Sequence, residues 1–458
     1  MNFLQQLSRR QLLQRASCGF GQLALASLAH QFADAAPSQG SAASSGTHHL
    51  ARAKRVIFLF MGGAPSHVDT FDYKPRLIRD HGKTLTAGAT RTLMKSPWRF
   101  SQHGQSGMWI SELFPEVAQH ADKLCMLHGL NTDLPNHPEA TLMMHTGSAQ
   151  FIRPSLGAWT LYGLGSENEN LPGFIAINPL SRFGGPQNYG SSFLPGDSQA
   201  TRIAGEGRSL AKAGVAHISN PQTSPMRQRE QLDLIADLHR LRPSPSLDPE
   251  LENVISSYEL AFRMQSTAPR LFNFREETRA TQKRYGIGQR ETDNFGRQCL
   301  LARRAVEAGV RFVELSVGGW DHHSQLRQRL PDYCRKVDLP IATLLADLDD
   351  RGLLADTLVV WGGEFGRTPE AQNGDGRDHN PAGFTMWMAG GGVKSGFAYG
   401  ATDEHGGQAV EGKMHIHDLH ATILYLLGLD HERLTYRYSG RDMRLTDIHG
   451  YVAHEIFA

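Results

Sequence analysis

Apolar residues fall along this chain in short runs, most of them closed by glycine and followed by a polar loop. Residues 55–61 (RVIFLFM), 358–361 (LVVW) and 384–389 (FTMWMA) are continuous apolar runs of strand length, as in a sheet covered on both faces. Residues 310–317 (VRFVELSV) alternate as a strand does, and shorter strand signals stand at 124–127 and 173–177. Between these lie helical patterns. Residues 292–309 (TDNFGRQCLLARRAVEAG) are amphipathic, stop at glycine and feed the 310–317 strand, and residues 332–351 feed 358–361 in the same way. Residues 415–428 begin polar, turn apolar and stop at Gly428. Helix and strand in alternation predict a sheet with helices on both faces.

The middle of the chain reads differently. Residues 148–224 are rich in Gly, Pro, Asn and Ser and are expected to form loops framing a cleft. Residues 228–241, 249–265 and 275–285 are charged and amphipathic, which predicts a helical insertion at about 226–285.

Composition narrows the function classes. The 458 residues carry a net charge of +1, which gives no electrostatic footprint for nucleic acid or an anionic membrane. No stretch reaches the roughly 18 apolar residues of a membrane span. The cysteines are Cys18, Cys125, Cys299 and Cys334, with no CxxC pair, so neither a disulfide framework nor a structural zinc cluster is indicated. No P-loop or dinucleotide fingerprint is present. At the N-terminus, Ser8-Arg9-Arg10-Gln11-Leu12-Leu13 resembles a twin-arginine export motif, followed by a weakly apolar run and an Ala33-Asp34-Ala35 cleavage pattern. This predicts a signal peptide at 1–35, a flexible linker at 36–51, a main domain at 52–450, and a destination in the periplasm or at the cell surface.

The candidate chemistry sits where strands end. After 358–361 come Gly362-Gly363, then Glu364, and a polar loop that delivers Asp378-His379. After 310–317 come Gly318-Gly319-Trp320 and then Asp321-His322-His323. Two strands closed by Gly-Gly and followed by acid and histidine suit a shared divalent-metal site, since carboxylate and imidazole are its usual ligands. The plainer alternative is a pair of solvated loops whose acids pair with Arg367 and Arg377. A third loop, after 55–61, groups Ser66, His67, Asp69, Thr70 and Asp72. A fourth brings Asn136 and His137 to a helix start, where free N–H groups favour anions. His145 reads as a packed histidine. His417 and Asp418 could face the site, although capping is the simpler role for Asp418.

Taken in order, GGAPSHVDTFDYKP (62–75), GGWDHHS (318–324), GGEFGRTP (362–369), GRDHNP (376–381), HDLHATILYLLGL (417–429) and SGRD (439–442) resemble the bacterial "domain of unknown function 1501" family over about 52–450. That family is sulfatase-like and grouped with the alkaline phosphatase superfamily. The resemblance implies an alkaline phosphatase-like three-layer α/β/α sandwich with a mostly parallel central sheet. It also implies one or two divalent ions: zinc, manganese, calcium or magnesium. The implied metal shell is Asp321, His323, Glu364, Asp378 and His379. The place of the superfamily's first ligand is taken by Gly62-Gly63, and Asp69 or Asp72 would substitute. Matching the sulfatase Thr-Gly to Thr146-Gly147 puts His137 where the formylglycine-forming cysteine would stand, which argues against a formylglycine enzyme. His137 could be a nucleophile, a metal ligand or a phosphate-binding group, with Ser66 and Thr70 as alternative nucleophiles and Arg367 balancing oxyanion charge.

The implied activity is metal-dependent hydrolysis of phosphate or sulfate esters, on a small-molecule or polysaccharide substrate. The alternative is a metal-containing binding protein of the same fold without catalysis.

Overall fold

The computed structural model describes residues 46–86, 89–212, 223–241 and 249–458, and it places Arg55–Phe60 (β1) inside a nine-stranded sheet. The other strands are Leu124–Asn131 (β2), Phe174–Ile177 (β3), Thr201–Ile203 (β4), Phe312–Ser316 (β5), Thr357–Gly362 (β6), Phe384–Ala389 (β7), Phe397–Tyr399 (β8) and Met414–His415 (β9). Their order is β8-β2-β7-β6-β1-β5-β3-β4, with β9 paired to β2. All pairings are parallel except those of β7, which runs antiparallel to β6 and β2. Val56 of β1 lies beside Phe312 of β5 and Leu358 of β6, so these three strands end level with one another.

The two-residue period of the strands divides the core into two layers. Ile57, Leu59, Val313, Leu315, Val359 and Trp361 point to one side. They pack with Leu300 and Leu301 of helix Asp293–Glu307 and Leu344 and Leu345 of helix Leu326–Asp350. Val56, Phe58, Phe60, Phe312, Leu358 and Val360 point to the other, against Met144, Trp159 and Leu424. Those three belong to helices His137–Thr146 (α1), Leu156–Leu164 (α2) and Ile416–Leu426 (α3). The result is an α/β/α sandwich whose strands bury both faces, which is why their sequences are apolar throughout.

α1 positions part of the site. It is stopped by Gly147, whose φ of +66° suits glycine. Near its end His145 is buried, donating Nδ1–H to Thr141 O at 2.7 Å and meeting Glu314 of β5 through Nε2 at 3.2 Å. Ser316 also donates to Glu314, at 3.1 Å. Burial alone would lower the His145 pKa, but Glu314 raises it overall, and the contact ties α1 to β5.

Several expectations take a different form. The helix foreseen at 332–351 begins earlier, at Leu326, and carries Pro331 and Pro340 within it. The insertion at 226–285 holds helices Pro225–Arg240, Pro249–Leu271 and Arg279–Arg284, and 242–248 lie outside the described residues. So do the expected signal peptide and residues 36–45 of the expected linker. Its described part is fastened: His48 and His49 both donate backbone N–H to Gly428 O, at 2.7 and 3.2 Å. Cys125, Cys299 and Cys334 are buried free thiols. No helix among the described residues is long and apolar enough to cross a membrane.

Candidate metal centre

Because β1, β5 and β6 lie side by side and end level, the loops that follow them meet. The meeting is close enough to require glycine. Gly63 has a φ of +104°, and a Cβ there would come within 2.8 Å of the Trp320 and Asp321 nitrogens. Gly376 crosses His323 so closely that a Cβ would lie 2.0 Å from its backbone carbonyl. The loop after β5 presents Asp321 and His323. The loop after β6 folds into a small ribbon pairing His379 with Arg367, which turns His379 back toward them. His137 arrives from the first residue of α1.

These four side chains converge. One ligating atom from each of His137, Asp321, His323 and His379 lies within 4.8 Å of all the others. Asp321 Oδ1 is 3.3 Å from His137 Nε2, 2.9 Å from His323 Nε2 and 3.5 Å from His379 Nε2. His323 Nε2 and His379 Nε2 are 2.9 Å apart. A tetrahedral ion with ligands at about 2.0–2.1 Å has ligand-to-ligand edges of about 3.3 Å. These four edges therefore bracket the size of a tetrahedral site.

The far side of each ring fixes which nitrogen faces inward. His379 Nδ1 is 2.5 Å from Pro135 O, a carbonyl that can only accept. His323 Nδ1 is 2.5 Å from Gln372 Oε1, and His137 Nδ1 is 2.5 Å from Glu364 Oε1. Each Nδ1 is thus the N–H donor, and each Nε2 turns its lone pair to the common centre. This is the outer arrangement that metal-binding histidines show. Among the described residues, buried His137 Nε2 has no hydrogen-bond partner of good geometry, and its near neighbour is Asp321 Oδ1. The His137 ring is also held between Phe183 and Phe365, with centroids at 4.9 and 4.8 Å.

Charge is arranged to match. Burial by itself would raise the pKa of Asp321. The neighbouring His137 and His379 rings and the Arg367 guanidinium outweigh it and hold the carboxylate ionised, well below the usual range. Burial would lower the pKa of His137, while Asp321 and Glu364 raise it overall. A cation at the centre therefore competes with a proton on His137. His322, between the two site residues in sequence, is buried and pushed down to about 4, mainly by burial and then by Arg367 and Arg329.

The remaining expected site residues lie around this cluster. Glu364 is fully buried behind His137 and accepts Gly63 N–H through both oxygens, at 2.9 and 3.2 Å. Asp378 is a neighbour, with Oδ1 3.8 Å from His323 Nδ1 and Oδ2 2.5 Å from Arg91. Arg367 is buried. It donates to Gly63 O, Ala64 O and Arg377 O as well as to Asp321 Oδ1 at 2.7 Å, so it braces the loops. Asp69 stands apart in a buried two-point pair with Arg377, at 2.6 and 3.1 Å. Ser66 donates to Asp69 at 2.5 Å, and Thr70 donates to Ser66 O at 2.8 Å, so both buried hydroxyls are engaged within their own turn. Asp72 pairs with Lys74 at 2.9 Å. Asp418 caps α3 by accepting the His415 N–H at 2.8 Å, and His417 donates to Gly147 O at 2.9 Å.

Sequence reasoning did not single out Gln372, Arg91 or the Pro135 carbonyl. A carbonyl leaves no mark in sequence, and Gln372 and Arg91 are polar residues of loops.

Residues 53–457 match the family profile described as "Protein of unknown function (DUF1501)". The chain belongs to this family. No curated protein matches this DUF1501 chain. Among solved structures it is similar to the PsFucS1 sulfatase from Pseudoalteromonas sp., at 12% identity over 82% of this chain and 68% of that one, with a TM-score of 0.36. It is similar to the alkaline phosphatase of the Antarctic bacterium TAB5, at 10% identity over 82% and 98%, with a TM-score of 0.33. A third is the lipoteichoic acid synthase LtaP from Listeria monocytogenes, at 8% identity over 89% and 78%, with a TM-score of 0.37. Similarity of this order identifies no shared residue and no shared reaction. The residues of the DUF1501 chain itself carry the fit to a metal.

Proposed function

We propose that this DUF1501 protein is an exported hydrolase of phosphate or sulfate esters that works with one divalent ion held by His137, His323 and His379, with Asp321 beside them. One observation carries the reading: three Nε2 lone pairs and a carboxylate oxygen share one centre at tetrahedral spacing. When bound, the ion supplies Lewis acidity toward an ester oxygen and toward water. Glu364 holds the Nδ1 proton of His137, Gln372 that of His323, and Pro135 O that of His379. The rings are thereby fixed before any substrate arrives. Arg367 shares Asp321 Oδ1, the oxygen that faces the cluster, and so weakens its hold on a cation. Three histidines with one exchangeable position is the pattern of a reactive site rather than a structural one.

The attacking group in this reading is water. The hydroxyls of Ser66 and Thr70 are buried and engaged elsewhere, and the His137 ring is pinned with Nε2 aimed at the centre. Direct displacement needs no covalent intermediate on the chain. A non-catalytic binding protein is the second reading. It is favoured if Asp321 completes a closed set of four protein ligands.

Purified protein incubated with zinc, manganese, calcium or magnesium should carry one equivalent of one of these ions and hydrolyse 4-nitrophenyl phosphate or sulfate. The His323→Ala, His379→Ala double variant should lose both. Failure of the wild type to take up any of the four ions would sink the metal reading. Uptake without turnover on either ester would leave the binding protein. Export is part of the same proposal and rests on Arg9-Arg10. Replacing both with lysine should retain a tagged full chain in the cytoplasm, and unchanged export would remove that part.

A further inference from the structure

A cavity of about 420 Å³ lies at the C-terminal end of α1, lined there by Met143, Thr146 and Gly147. One loop, residues 133–135, reaches both this cavity and the metal cluster. Asp133 and Leu134 line the cavity, and the next residue, Pro135, is the acceptor of His379. His417 forms part of the lining, with the exposed His449 ring stacked on it at 4.9 Å and 6°.

Two acids, Asp133 and Asp447, and two arginines, Arg153 and Arg444, line this groove, and all but Arg153 have an ionisable partner close by. Asp133 is paired with His415 at 3.2 Å, Asp447 with Arg441, and Arg444 with Glu432 at 3.4 Å. Arg153 is half-buried and lines the cavity, yet no carboxylate pairs with it among the described residues. Its guanidinium has only Met443 Sδ at 3.2 Å and the face of Phe151 at 5.6 Å. Phe151 itself is 63% exposed and Ile152 65% exposed, at the mouth of a polar groove. A large exposed apolar pair beside a free cation is costly unless something covers it.

We propose that this groove is a binding subsite for an anionic sugar residue carried by the substrate. Arg153 pairs with its sulfate, phosphate or carboxylate group in a two-point geometry, and Phe151 stacks on the ring face. Naming this ligand as part of the substrate rests on the hydrolase reading. The affinity of the groove for the sugar chain does not.

The test is binding of a fluorescently labelled, sulfated tetrasaccharide to the full chain, read by polarisation. Arg153→Ala should weaken binding by about tenfold or more, the usual loss for a charge-assisted pair. Arg153→Lys should weaken it less. Unlabelled cellotetraose, a neutral chain of the same length, should not displace the label, and inorganic sulfate should displace it only at far higher concentration than the unlabelled sulfated chain. His323→Ala should still bind, since neither its ring nor its partners Gln372 and Asp321 line the groove. Arg153→Ala binding as tightly as the wild type would overturn the proposal. Equal displacement by inorganic sulfate and by the sulfated chain would overturn the sugar assignment. An Arg153 effect in a protein that hydrolyses no ester would retire the hydrolase and leave the groove.

Discussion

His323 Nε2 and His379 Nε2 face each other at 2.9 Å while the Nδ1 of each ring donates to an oxygen on its far side. Two imidazole lone pairs at that distance repel unless a cation lies between them. Removing either ring should therefore empty the site. His323→Ala and His379→Ala are each expected to lower bound metal, measured by elemental analysis, to background. Wild type treated with chelator should melt several degrees below the metal-loaded protein, and the variants should show no such difference. Full metal retention in both variants would place the ion elsewhere.

Glu364 acts on the centre only through His137. Glu364→Gln keeps an acceptor for Gly63 N–H but loses the negative charge behind the imidazole. Outer partners of this kind are worth roughly 10–100-fold in metal affinity. Competition with a chelator should read a loss in that range with the fold retained by circular dichroism. A wild-type affinity would show that the His137 ring is held by Phe183 and Phe365 alone.

Asp69 and Arg377 belong to stability. Both are fully buried, and leaving one unpaired exposes the other to the full cost of a lone buried charge, about 3–5 kcal/mol. Arg377→Met should lower urea-unfolding stability by that order. The milder Ser66→Ala, which removes one hydrogen bond to Asp69, should cost about 1 kcal/mol. Ser66→Ala should also leave ester turnover within a few-fold of wild type. A Ser66→Ala protein that folds, holds its metal and is inactive would restore the hydroxyl as nucleophile.

Acid should weaken the fold through His420. It is fully buried, donates to Met144 O at 2.7 Å, and burial pushes its pKa down to about 3. The unfolded chain takes up the proton near pH 6.5, the folded one only near 3. Stability is then complete above about pH 6.5 and falls as pH drops through that interval, by up to about 5 kcal/mol from this group. His420→Gln keeps a donor without the titration. Its unfolding free energy should be lower at neutral pH yet flatter between pH 6.5 and 4. Parallel pH profiles for the two proteins would remove His420 from the account.

The legible parts of this chain are those that repeat. Strands 55–60, 357–362 and 384–389 are read from continuous apolar runs, because both faces of each are covered. Asp321 and His323 are legible because they closely follow a strand end, and His379 because it stands beside an acid in the loop after another. Which acid meets which arginine is not legible. Asp69 and Arg377 are 308 positions apart, and Asp378 stood next to Arg377 as a nearer partner in sequence. Only the crossing of two loops decides that Arg377 turns to Asp69 while Asp378 turns to Arg91. The separation of Glu364 from the inner ligands has the same origin. Its place relative to His137 depends on where α1 is held against β5, through His145 and Glu314.

His137, the 321–323 pair and His379 come from separate segments that touch only when the sheet is complete. An unfolded chain holds no more than two of these ligands near each other, so it has little to offer an ion. Each ion captured therefore withdraws chain from the unfolded pool, and about a thousandfold excess over the dissociation constant adds about 4 kcal/mol to the native state. If the proposed site fills as its geometry suggests, metal supply sets how much of the chain stays folded.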